Sequence, residues 1–145
     1  MHQMEVISLL QSKNRCLKKF LSLSVLFLKS AENHNFSELE SFEKKRESYI
    51  KAISLCDRRI LDLANKIPKV KRSTEFVQKI QSINKEKEQL THKIIETDDK
   101  ILFYIENEKQ NLIQNLNLSE NSKNRLNKFK SSWVNESGEG IDQKL

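Results

Sequence analysis

The stretch LESFEKKRESYIKAISLCDRRILDLANKI, residues 39–67, decides the fold. Its row of Leu39, Phe42, Arg46, Tyr49, Ile53, Cys56, Ile60, Leu63 and Ile67 alternates in steps of three and four for four heptads, with Arg46 its only charged member. That period keeps one face of a helix against a neighbouring helix, whereas a strand needs a period of two. Ser37 stands three residues before Glu40, the spacing of a capping box in which each side chain covers the other's free backbone amide. The spacing predicts a helix over 37–67. Pro68 ends it, because proline lacks the amide hydrogen and disfavours helical geometry in the residue before it.

Upstream, apolar residues from about 3 to 33 fall on two adjacent stripes. One holds Ile7, Leu10, Leu17, Leu21 and Leu28, the other Val6, Leu9, Cys16, Phe20, Leu23 and Phe27. So wide a face predicts contact with two other helices at once, and Cys16, Phe20, Leu23 and Phe27 are also candidates for a second apolar binding surface. The run FLSLSVLFL at 20–28 imitates the core of a signal peptide. It is too short to cross a bilayer, which takes about 20 residues, and reads as the apolar centre of the first helix. With no other export signal, the expected location is the cytoplasm, without membrane insertion.

Downstream, Ser73 or Thr74 can cap a third helix over 74–117, with a stripe of Phe76, Ile80, Ile83, Lys87, Leu90, Ile94, Ile101, Ile105, Leu112 and Leu116. Ser119 with Ser122 offers another cap, predicting a short fourth helix over 119–131, and 132–145 reads as a flexible tail. Only two glycines and one proline occur, and both glycines, Gly138 and Gly140, lie in that tail, so little interrupts helix elsewhere. The expected fold is all-α: a single domain over 1–131, built as an antiparallel bundle of three long helices with coiled-coil-like packing. The segment Arg46, Tyr49, Ile53, Asp57, Ile60 echoes in Lys87, Leu90, Ile94, Asp98, Ile101 at an offset of 41, which fits two helices facing one core.

The net charge of +6 admits anionic partners, but lysines and arginines are interspersed with acids except at Lys66, Lys69, Lys71 and Arg72 beside the proline. Nucleic acid is therefore a minor expectation. Cys16 and Cys56 have no CxxC spacing and His2, His34 and His92 are scattered, which predicts free thiols and no metal or cofactor. Glycine loops for phosphate, HExxH pairs and nucleophile elbows are missing, so no catalytic residue and no small-molecule substrate are expected. What remains is apolar surface. Leu112, Leu116, Leu126, Phe129 and the single tryptophan, Trp133, lie among asparagines, serines and lysines, as in an amphipathic segment that docks a protein partner.

The segment SELESFEKKRESYIKAISLCDRRI at 37–60, after a leucine-rich first helix, and IIETDDKILFYIENEKQNLIQNL at 94–116, before a short segment ending in Phe129 and Lys130, together resemble the FlgN/FliT class of flagellar export chaperones. The resemblance spans residues 5–130. It implies a small cytoplasmic bacterial protein of antiparallel helices that binds an amphipathic helix of a hook-associated, filament-cap or filament protein, prevents premature assembly, and releases the cargo at the type III export machinery. It also implies that the C-terminal helical region grips cargo, which here falls on Leu112, Leu116, Leu126 and Phe129. The basic balance departs from the acidic one common in that class. The competing expectation is a structural coiled-coil adaptor or homodimeric scaffold joined through helix one; a basic nucleic-acid-associated bundle comes third. Monomer and homodimer are both compatible with the sequence.

Overall fold

The computed structural model describes residues 2–134, with side chains described through Lys128. The described residues are helical, with no strand among them: α1 spans His2–Glu32, α2 Leu39–Ala64 and α3 Thr74–Val134, and a single 3-10 turn occupies Lys69–Lys71. No described helix is long and apolar enough to cross a membrane. The chain divides into two units, residues 1–104 and 105–145.

In the first unit the three helices pack against one another. Pairings between α1 and α2 run in opposite numerical order: Phe27 stacks on Phe42 with ring centroids 4.5 Å apart, Lys13 meets Asp57, and Val6 meets Leu63. Those between α1 and α3 rise together, from Val6 with Phe76 through the Asn14 amide donating to the Ile83 carbonyl at 3.0 Å to Lys18 with Glu86 at 2.8 Å. One end of the core gathers Val6, Leu63, Ile67 and Phe76, with Ile7, Leu10, Ile60 and Ile80 around them. Farther along, Phe20, Phe27, Leu28, Ala31, Phe42, Leu90, Ile94 and Ile101 are buried. A fully buried leucine or phenylalanine contributes about 1.5–3 kcal/mol relative to an exposed one, so these residues supply the main driving force.

The helix ends are satisfied locally. α1 stops in a Schellman arrangement, in which the Asn35 amide donates to the Ser30 carbonyl and the His34 amide to the Ala31 carbonyl, with His34 left-handed at φ 59°. Ser73 caps α3 by accepting from the Phe76 amide at 3.1 Å, as its sequence position predicts. The expected capping box at Ser37 and Glu40 is not formed. Ser37 instead turns its amide and hydroxyl to the Asn35 side-chain oxygen, at 3.1 and 2.8 Å, and helix begins at Leu39 without a side-chain cap on Glu38. Asn35 competes successfully because an Asx turn closes over only two residues. At the other end of α2, regular helix stops at Ala64 and single turns carry the chain to Ile67 before Pro68. The Arg72 guanidinium reaches back to the Ala64 and Ile67 carbonyls, both at 3.5 Å, where the end of the helix leaves acceptors unpaired.

The break expected between residues 117 and 119 does not occur, and no short fourth helix exists: α3 is one helix through Val134. Ser119 and Ser122 cap only where the backbone first leaves the helix. Without glycine or proline nearby, a serine in mid-helix costs only a few tenths of a kcal/mol. The tail expected from residue 132 accordingly begins inside helix, and residues 135–145 lie outside the described part of the chain.

Candidate partner-binding surface

The first unit closes its core with polar as well as apolar side chains. Arg46, the charged member of the α2 row, forms a two-pronged contact with Asp98 at 2.8 and 2.9 Å while its guanidinium carbon lies 5.0 Å from the centre of the Phe20 ring. The planar fork of arginine matches a carboxylate, and its face stacks on the aromatic ring. Thr97 turns its hydroxyl back onto the Lys93 carbonyl at 2.8 Å, and Ser24 is fully buried with no hydrogen-bond partner on its hydroxyl.

This packing decides the fate of the second apolar surface expected on α1. Phe20 and Phe27 are buried, the first beneath Arg46 and the second between Phe42 and Phe36, while Cys16 and Leu23 are half-buried. Phe20 and Phe27 are therefore core residues rather than docking surface. The wide face of α1 is explained by its two neighbours.

Cys16 and Cys56 are free thiols. Burial, then the Cys16 thiol and Asp57 beside it, push the Cys56 thiol up from its ordinary value against the opposing pull of Lys13, which disfavours its thiolate. Among the described residues no group of three or more histidine, cysteine or acidic side chains could hold a metal ion. A shallow polar groove between α1 and α3 is lined by Asn14, Arg15, Lys18, Ser82 and Glu86, and its walls are already tied by the Asn14 and Lys18 contacts. The basic cluster of Lys66, Lys69, Lys71 and Arg72 is exposed around the 3-10 turn, with Arg72 engaged at the end of α2.

The second unit contrasts with this. Leu112, Leu116 and Leu126 are 54%, 45% and 53% exposed, and with half-buried Ile105 they fall within about 80° of one another around a helix of 3.6 residues per turn. They form one stripe. Ile113 is also exposed and lies at its flank, whereas Leu118 falls on the far side. Phe129 and Trp133 belong to the same helix, but their side chains lie outside the described residues. None of the described side chains from 105 to 128 is buried, so the apolar stripe on this half of α3 stays exposed among the described residues. Such a stripe, flanked by asparagine and lysine, suits reversible side-by-side packing with another amphipathic helix.

Sequence reasoning missed the polar members of the α1 core, Asn14 and Ser24, since a search for apolar periodicity passes over them. Ser24 nevertheless follows helical spacing with Phe20, Phe27 and Ala31, and Asn14 with Ile7, Leu10, Leu17 and Leu21, so each sits on a row that apolar residues outline. No family model, curated protein or solved structure matches the chain.

Proposed function

We propose that this protein is a chaperone that masks an assembly-prone amphipathic helix of another protein by docking it on the stripe of Leu112, Leu116 and Leu126. The observation that carries the reading is that the three are exposed and share one face of the helix. Half-exposed leucines in a row are costly to leave in water, so a helix that covers them gains burial on both sides, and covering the partner's own apolar face lowers the amount of partner free to polymerise. The sequence resemblance narrows the partner to a flagellar hook-associated, filament-cap or filament protein, bound in the cytoplasm and handed to the type III export machinery. Phe129 and Trp133 extend the same docking segment. The three helices of residues 1–104 serve as a scaffold with antiparallel, coiled-coil-like packing, a reading supported by the opposed numerical order of the α1 and α2 contacts.

The test is co-expression of the full chain with individual hook-associated, filament-cap and filament proteins of a flagellated host, followed by co-purification. Wild type should retain one of them in solution, and Leu112→Glu or Leu116→Glu should lose it with helicity unchanged. Solubility of every candidate cargo unaffected by the wild-type protein would remove the flagellar assignment.

A further inference from the structure

Along the second unit, the row that starts at Ile105 and steps by fours and threes carries Lys109, Leu112, Leu116, Ser119, Lys123 and Leu126. Lysine thus lies within the leucine stripe, not only beside it. Between residues 109 and 128 four bases, Lys109, Lys123, Arg125 and Lys128, meet a single acid, Glu120. Lys109 and Lys123 are exposed and form no ion pair among the described residues. In the first unit, by contrast, Lys13, Lys18 and Arg46 each meet a carboxylate from a neighbouring helix.

The occupant of the stripe has to satisfy those lysines. A second copy of this helix does so poorly: parallel and in register, each lysine faces itself, and antiparallel about the middle of the stripe, Lys123 falls opposite Leu112 and Lys109 opposite Leu126. Either arrangement brings an unpaired ammonium into an apolar seam. A lipid surface is also a poor match, because interfacial helices carry their cations on the polar face, while Lys123 sits in mid-stripe between Leu116 and Leu126. A partner helix that sets leucine-like residues against Leu112, Leu116 and Leu126, and glutamate or aspartate against Lys109 and Lys123, satisfies both halves of the pattern.

We infer that this stripe binds an acidic amphipathic helix of the partner protein, an inference that rests on the docking reading above and specifies the partner's charge. The probes are three labelled synthetic amphipathic helices that share one leucine stripe, carry glutamate, glutamine or lysine beside it, and are titrated against the full chain by fluorescence anisotropy. The glutamate peptide should bind about tenfold tighter than the glutamine peptide, the equivalent of about 1.4 kcal/mol, and the lysine peptide should bind weakest. The preference should collapse at about 0.5 M salt, where screening acts within a few Å. K109E/K123E, which changes two exposed residues, should reverse the order of the peptides. Equal affinity for the glutamate and glutamine peptides, or an unchanged order in K109E/K123E, would overturn the acidic-partner inference and leave docking intact. Failure of all three peptides to bind would overturn the docking reading itself. Uptake onto phosphatidylglycerol vesicles without peptide binding would assign the stripe to lipid, and a sedimenting dimer broken by Leu112→Glu would assign it to a second copy; both overturn the inference.

Discussion

Residues 74–104 and 105–128 belong to one helix and both carry isoleucine or leucine at helical spacing, yet Phe76, Leu90, Ile94 and Ile101 are buried while Leu112, Leu116 and Leu126 remain about half exposed. The difference lies in the company the apolar residues keep. In the earlier stretch Asp98 receives Arg46 and Thr97 satisfies itself on its own helix, so these two polar groups have partners, while Lys87 of the same row forms no ion pair among the described residues. In the later stretch Lys109 and Lys123 interrupt the row without an ion-pair partner among the described residues. Apolar periodicity therefore identifies a face that can be buried, and the polar residues within that face report what buries it.

The contrast is broken most forcefully in the core. Phe27→Ala removes a ring stacked on Phe42 and should cost about 3–5 kcal/mol in denaturant unfolding, and an effect under about 1 kcal/mol would mean that this face of α1 is not core. Arg46→Ala leaves Asp98 without its fork and should cost about 2 kcal/mol, tempered by the partial exposure of both groups. Ser24→Ala should stabilise by about 1 kcal/mol, because the serine hydroxyl is buried without a partner and its loss removes a desolvation cost. A lower melting temperature for this variant would show that the hydroxyl is satisfied in solution. On the exposed half, Leu112→Glu should change stability by less than about 0.5 kcal/mol while abolishing partner capture, which separates docking surface from core within one helix.

The smallest effect expected is chemical. The Cys56 thiol is held above its ordinary value, so at a given pH less of it is thiolate and its alkylation should lag behind that of an unfolded control. The lag should shrink as pH rises through the folded-state value. Iodoacetamide labelling followed by mass spectrometry at several pH values measures this, and equal rates for folded and unfolded chains would refute it.

Much of the fold was legible because its determinants are local. The row from Leu39 to Ile67, the stop at Pro68 and the cap at Ser73 rest on residues close in sequence, and helix runs over Leu39–Ala64, has ended before Pro68 and restarts behind the Ser73 cap. The capping box failed where two local solutions competed and Asn35 took Ser37. The break near Ser119 failed because a cap signal has force only where something else stops the helix. The candidate surface was half legible. Leu112, Leu116 and Leu126 were marked by spacing, but the same signal marked Phe20 and Phe27, and only the packing of Phe42 and Arg46 over them distinguishes the two groups.

The fork between Arg46 and Asp98 bears on how the bundle finds its alignment. Phe42, Tyr49, Cys56 and Leu63 on α2, and Phe76, Ile83 and Leu90 on α3, recur at intervals of seven, so sliding one helix past the other by a heptad, about 10 Å, again sets apolar residues against apolar residues. Hydrophobic contact alone is then a ruler with unnumbered marks. Arg46 and Asp98 number them, because a bidentate pair tolerates no slip of that size, and each misaligned state carries a guanidinium and a carboxylate without their mates.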